Sequence, residues 1–221
     1  MLTVRFCYPA PGQRIIMNNV FRCVFPNVGF IGCDLTDDEF DPILDDVNRI
    51  QNNFEKSEKM NSELVGHIER EYKIVNTFDH IESIVAPMCQ VHDSTFTNQS
   101  QKIKNYKLLE TWVNFQKKHE FNPLHYHKGD FSFVIYVKIP YTIEEENKLT
   151  PLVPDQARIS GCFNFYYTDA LGTISQWTIP TDRNYEKKLI VFPAKMNHSV
   201  MPFYSSDGYR ISISGNLEVI K

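Results

Sequence analysis

The stretch NPLHYHKGDFSFVIYV, residues 122 to 137, puts His125 and His127 two positions apart and Asp130 three further on, just before a β-branched and aromatic run. Residues i and i+2 of a strand project from one face, so two imidazoles there can converge on a cation without the entropic cost of ordering a loop. Asp130 lies across a Lys-Gly corner and can fold back toward the same point. The third imidazole that such a site needs is His198, in FPAKMNHSVMPF, at a strand start just past LIVFP and a short corner. Two nitrogen ligands and a carboxylate on one face of an octahedron leave three positions open, the signature of non-haem Fe(II) that activates dioxygen.

Downstream, Arg210, Ser212 and Ser214 in YRISIS share one strand parity and Ile211 and Ile213 the other. One face is therefore polar, where a barrel interior would be, and one apolar, where a neighbour would cover it. A guanidinium with a hydroxyl two residues on can hold a carboxylate through paired charge-assisted hydrogen bonds. Tyr136, on the face of FSFVIYVKI opposite Phe131, Phe133 and Ile135, offers a phenol as a second donor. Asn114, in the same strand as Trp112, is a further pocket candidate.

The elements that must position these groups follow from periodicity. After about residue 104 the pattern is period two, with successive strand candidates YKLLETWVNFQKK, FSFVIYVKI, RISGCFNFYYT, GTISQWTI, KKLIVFPA, HSVMPFY and GYRISISGNLEVI. Before it, Thr36 and Glu39 fit a capping box, and Phe40, Ile43, Leu44, Val47, Ile50 and Phe54 make one helical stripe. A second helix is expected from about Asn76 to Gln90, ending or kinking at Pro87. Residues 1 to 35 hold short apolar pieces, VRFCY, NNVFRCVF and VGFIGCDL, that suggest short strands. The polar connection 140–156 reads as a functional loop or lid. The expected fold is mainly β with N-terminal helices (α+β), a double-sheet jelly roll flanked by helices. Residues 1–103 supply strands and supporting helices and 104–221 the catalytic core of one compact domain.

Composition excludes several classes. The 221 residues carry a net charge of -4 with no Lys/Arg run, so nucleic acid is not a direct electrostatic partner. No window reaches the roughly 18 apolar residues of a membrane span. Five cysteines without a CxxC pair or a signal-like leader read as reduced thiols in a cytoplasmic protein. Blander expectations apply elsewhere. His67, His80, His92 and His119 should be exposed or capping, Trp112 and Trp177 should pack core, and Cys162 should be a buried small hydrophobe.

Residues from about 104 to 217 resemble the 2-oxoglutarate and Fe(II)-dependent oxygenases of the prolyl-hydroxylase-like superfamily, in particular the group carried by marine T4-like bacteriophages. The resemblance rests on WVNFQKKHEFNPLHYHKGDFSFVIYVKIP, LIVFPAKMNHSV and GYRISISGNL. It implies a double-stranded β-helix with Fe(II) and 2-oxoglutarate at one mouth, His125 and His198 as metal ligands, and Arg210, Ser212 and Tyr136 around the cosubstrate's distal carboxylate. It further implies O2-dependent hydroxylation of a peptide or small-molecule substrate, such as a peptidyl proline, with succinate and CO2 as co-products. The superfamily usually has HxD, and His127 stands where that aspartate would be. Either His127 ligates, or Asp130 reaches in, or both do while His125 only supports. Asp130 is placed slightly ahead of His127, because a carboxylate offsets Fe(II) charge better. Two other readings stand beside this one: a cupin-like metalloenzyme that does not use 2-oxoglutarate, and a catalytically silent jelly-roll binding module.

Overall fold

In the computed structural model, residues 28–96 and 104–220 are described; VRFCY and NNVFRCVF, with Cys7 and Cys23, lie outside them. Ten strands form two antiparallel sheets. They are β1 Ile31–Asp34, β2 Glu71–Lys73, β3 Asn105–Gln116, β4 Asn122–His125, β5 Phe131–Lys138, β6 Phe163–Thr168, β7 Ile174–Ile179, β8 Lys188–Pro193, β9 Asn197–Val200 and β10 Arg210–Ile220. The larger sheet has the order β1-β8-β5-β10-β3-β2 and the smaller β4-β9-β6-β7. This is the expected double-sheet jelly roll.

Strand parity divides the core in two. Phe131, Phe133, Ile135, Ile211, Ile213 and Leu217 leave one face of the large sheet and pack against two helices, α1 (Asp37–Gln51) and α2 (Phe78–Phe96). Val134, Tyr136, Ile190 and Phe192 leave the other face and meet Phe163, Phe165 and Ile179 of the small sheet. The site therefore lies between the sheets, and the helices sit behind it.

Helix α1 begins where the capping box placed it, with Thr36 and Glu39 exchanging side-chain and backbone hydrogen bonds. Phe40, Ile43, Val47 and Ile50 are buried, each burial contributing about 1.5–3 kcal/mol of transfer free energy. Helix α2 does not end at Pro87 but continues to Phe96. Proline removes one intrahelical donor, yet Ile81, Val85, Cys89 and His92 recur at helical spacing on the buried face, and that burial outweighs the missing bond. His92 is accordingly buried rather than exposed, with Nε2 bonded to the Gly29 carbonyl at 2.7 Å.

The 140–156 connection contains a six-residue helix, α3 (Ile143–Lys148), opened by a second capping box, Thr142 with Glu145. Glu146 is fully buried and accepts from the backbone N–H groups of Tyr204 and Ser205 at 2.7–3.0 Å. That end of the connection is anchored to the β9–β10 corner. Trp177 is 57% exposed, not core, because β7 is the edge of the smaller sheet among the described residues. Cys162 is a buried free thiol, pushed up to about 11 chiefly by desolvation.

Candidate metal and cosubstrate site

Strand β4 pairs with β9 so that His125 lies directly opposite His198. His127 follows the end of β4, its N–H donating to the Ala194 carbonyl at 2.8 Å, which turns the chain back over the β8–β9 corner. One ligand atom from each of His125, His127 and His198 lies within 4.8 Å of the other two. The ring centroids are 4.2 Å apart for His125 and His198 and 5.0 Å for His127 and His198.

Two of the rings have a fixed tautomer. His125 Nδ1 lies 2.7 Å from the Pro123 carbonyl, and His198 Nδ1 lies 2.9 Å from the Met196 carbonyl. A carbonyl only accepts, so each Nδ1 carries the proton and each Nε2 keeps its lone pair for a metal. Burial, then mutual repulsion, disfavours the charged rings. His127 falls to about 4, desolvation being the larger cause and His125 the smaller, and His198 falls well below the usual histidine range. His198 also stacks on Phe163 at 5.4 Å.

Asp130 is not brought to this group. Gly129, at φ +84°, takes a left-handed turn in which a Cβ would lie 2.7 Å from the Leu217 carbonyl. Beyond it, the Asp130 N–H donates to Leu217 O and its carboxylate accepts from Val219 N–H, both at 2.8 Å. The residue expected as a carboxylate ligand instead fastens the β4–β5 corner to β10, and His127 occupies the corresponding place beside the other two imidazoles.

Across the same cavity, Arg210 is 2% exposed and opposite Gln116 in the β10–β3 pairing. All five of its N–H groups are engaged by neutral acceptors. Nε and Nη2 donate to Gln116 Oε1, Nη1 to Tyr141 OH and Gly161 O, and Nη2 to Met201 O, at 2.6–3.1 Å. No carboxylate is among these partners, so a buried positive charge lacks an anionic partner in its hydrogen-bond shell. Sequence reading missed Gln116 and Tyr141; only the fold brings them together. The Tyr136 hydroxyl, buried beside this charge, has no hydrogen-bond partner. Burial pushes its phenol up, so it remains a donor. Tyr136, Ser212 and Asn114 occupy one register row across β5, β10 and β3, and all three line the cavity that the imidazoles face.

Residues 110–216 match the family model described as "Putative 2OG-Fe(II) oxygenase". Over this segment the chain is similar to the 2OG-Fe(II) oxygenases. Such oxygenases use Fe(II), 2-oxoglutarate and O2, and the residues present fit all but the usual carboxylate ligand: three lone-pair nitrogens converge, and an unpaired buried hydroxyl lies beside a guanidinium with no carboxylate in its hydrogen-bond shell, a pair suited to an anion. The fold is similar to that of a Pseudomonas putida prolyl-4-hydroxylase, at 14% identity over 87% of this chain and 94% of that one, TM-score 0.53. It is similar also to AviO1 from Streptomyces viridochromogenes, at 10% identity over 88% and 91%, TM-score 0.51. A third similar structure is the epimerase SnoN from nogalamycin biosynthesis in complex with Fe3+, α-ketoglutarate and nogalamycin RO, at 14% identity over 86% and 78%, TM-score 0.50. At such identities the likeness is one of fold. No curated protein matches the chain.

Proposed function

We propose that the protein is an Fe(II)- and 2-oxoglutarate-dependent dioxygenase that hydroxylates a peptidyl side chain such as proline, with His125, His127 and His198 holding the iron. Tyr136, Arg210 and Ser212 would take the distal carboxylate of 2-oxoglutarate. The observation that carries this reading is the pairing of three neutral, converging imidazoles with an unpaired phenol beside a buried guanidinium. When bound, iron and 2-oxoglutarate supply the oxidising power, with succinate and CO2 as co-products.

The chain's own residues do the rest. The carbonyls of Pro123 and Met196 orient two rings, Phe163 and Phe192 shield His198 from water, and Tyr136 offers its proton to an anion. Arg210, already saturated with neutral acceptors, supplies positive potential at that end and exchanges one carbonyl partner for the carboxylate. A three-imidazole set contributes no negative charge, so the carboxylates of 2-oxoglutarate carry the task of balancing Fe(II).

Proline as substrate rests on the likeness to prolyl hydroxylases, and carriage by phage with a cytoplasmic setting rests on the sequence resemblance. The test is anaerobic addition of Fe(II) and 2-oxoglutarate to the purified protein, watched for a metal-to-ligand charge-transfer band. A band that needs both additions is expected. Metal binding indifferent to 2-oxoglutarate would favour the cupin-like reading, and no metal binding the silent module.

A further inference from the structure

The polar row across the large sheet does not stop at Asn114. In the β2–β3 pairing Glu71 lies opposite Asn114, so Tyr136, Ser212, Asn114 and Glu71 form one line over β5, β10, β3 and β2. Its two ends are chemically opposite. At the β5 end stands a donor, the Tyr136 hydroxyl, with the Arg210 guanidinium two residues before Ser212 on β10. At the β2 end stand acceptors.

Asn114 is 4% exposed, lines the cavity that the imidazoles face, and has no partner for Oδ1. The orientation of its amide is set by the Ser212 carbonyl, 3.4 Å from Nδ2, because a carbonyl can face only the donating end. Asn61 repeats the pattern. Its Nδ2 donates to Ile68 O at 2.6 Å and to Glu71 Oε2 at 3.2 Å, leaving a buried Oδ1 unpaired. Glu71 is 1% exposed, and its Oε1 and the unpaired Asn122 Oδ1 crowd one point above Gly66, where any side chain would collide with both. Asn114 and Asn122 thus turn unpaired oxygens into the cavity, with Glu71 opposite Asn114 in the strand pairing, and a buried acceptor left unpaired costs about 1–3 kcal/mol. Desolvation, with Glu120 nearby, raises the Glu71 carboxyl to about 7. A cleft of about 430 Å³ reaches the same two imidazoles, His125 and His127, past Trp112, Glu63 and Glu110. Its two carboxylates are set against one ammonium, Lys128, so the approach leans the same way by a single charge.

We infer that this acceptor wall, with Asn114 Oδ1 at its centre, is the subsite for the primary substrate and selects a group that donates N–H bonds, an amine, guanidine or amide nitrogen. The inference rests on the oxygenase reading for what lies at the other end of the row. Asn114, a pocket candidate by sequence, is thereby assigned to the substrate. A donor group paired with these oxygens sits beside the imidazoles with its neighbouring C–H bonds facing them, while acceptor-only molecules meet repulsion.

The test uses the full-length protein with saturating 2-oxoglutarate and three probes of one shape, benzylamine, benzamide and benzoate, followed by shifts of the Asn114 side-chain amide and Trp112 indole resonances. Benzylamine and benzamide are expected to bind at least about tenfold more tightly than benzoate, and Asn114→Leu to remove that preference. Asn114→Asp, which keeps an acceptor and adds charge, should restore benzylamine binding and favour it over benzamide, a rescue that a merely structural asparagine would not give. Benzoate binding as well as the other two, or Asn114→Leu leaving all three unchanged, would overturn the inference. Failure of 2-oxoglutarate to bind would instead strike the oxygenase reading; the probe preference, measured without it, still decides this one.

Discussion

The two sheets contribute to the site in unlike ways. The small sheet presents His125 and His198 from four-residue strands whose pairing is irregular between Asn122 and His125, with Leu124 and Tyr126 each 60% exposed alongside. The large sheet presents Tyr136, Ser212, Asn114 and Arg210 from strands of eight, eleven and twelve residues, backed by the helix-covered core. A cation can draw together ligands on short, irregularly paired strands, because coordination itself supplies the missing order. An organic carboxylate cannot, and its partners need to be held in place beforehand.

Substitutions can break that contrast. Arg210→Ala should be the most damaging, since it strands Gln116 and Tyr141 in the interior; a loss of about 3–5 kcal/mol in denaturant melts is expected, with 2-oxoglutarate binding lost as well. His198→Ala should weaken Fe(II) or Zn(II) by at least about 100-fold in a competition titration while costing less stability, as a ligand on a four-residue strand should. Equal stability losses from the two would erase the contrast.

Glu71 sharpens it through pH. Its carboxyl rises from 4.5 to about 7 in the folded state, so the native protein binds more protons than the unfolded chain between those values. Stability is then expected to fall as pH climbs from about 5 to 8, by about 2 kcal/mol, and Glu71→Gln should flatten that slope. Tyr136→Phe should weaken 2-oxoglutarate by about tenfold, read by calorimetry, without destabilising the free protein, since the hydroxyl it removes is unpaired. Asp130→Asn should leave metal affinity unchanged and cost under about 1 kcal/mol, because an amide oxygen can still accept from Val219. A tenfold drop in metal affinity in that variant would return Asp130 to the ligand set.

What the sequence disclosed was whatever short-range periodicity encodes. The parity of RISIS and FSFVIYV separated cavity from core, and the Thr36–Glu39 pair set the start of α1. The fate of Asp130 was not legible, because it depends on a left-handed glycine and on the end of a strand about 90 residues away. The side-chain partners of Arg210, Gln116 and Tyr141, lie 94 and 69 residues off, beyond any local pattern. Strand β2 has three residues, too few to show a period, yet it brings Glu71 to the end of the polar row. Trp177 reads as core because an aromatic strand residue usually is; whether an opposing sheet reaches it is decided globally.

The buried carboxylate of Glu146 has one more consequence. By gripping the backbone at Tyr204 and Ser205, it ties α3 to the start of the segment that leads into β10 and its guanidinium. The stretch just after α3, where Leu152 stands almost wholly in solvent, is free of that duty. A protease nick there should leave the two fragments clasped and the cavity intact, making this the natural place to splice in a reporter or a tether.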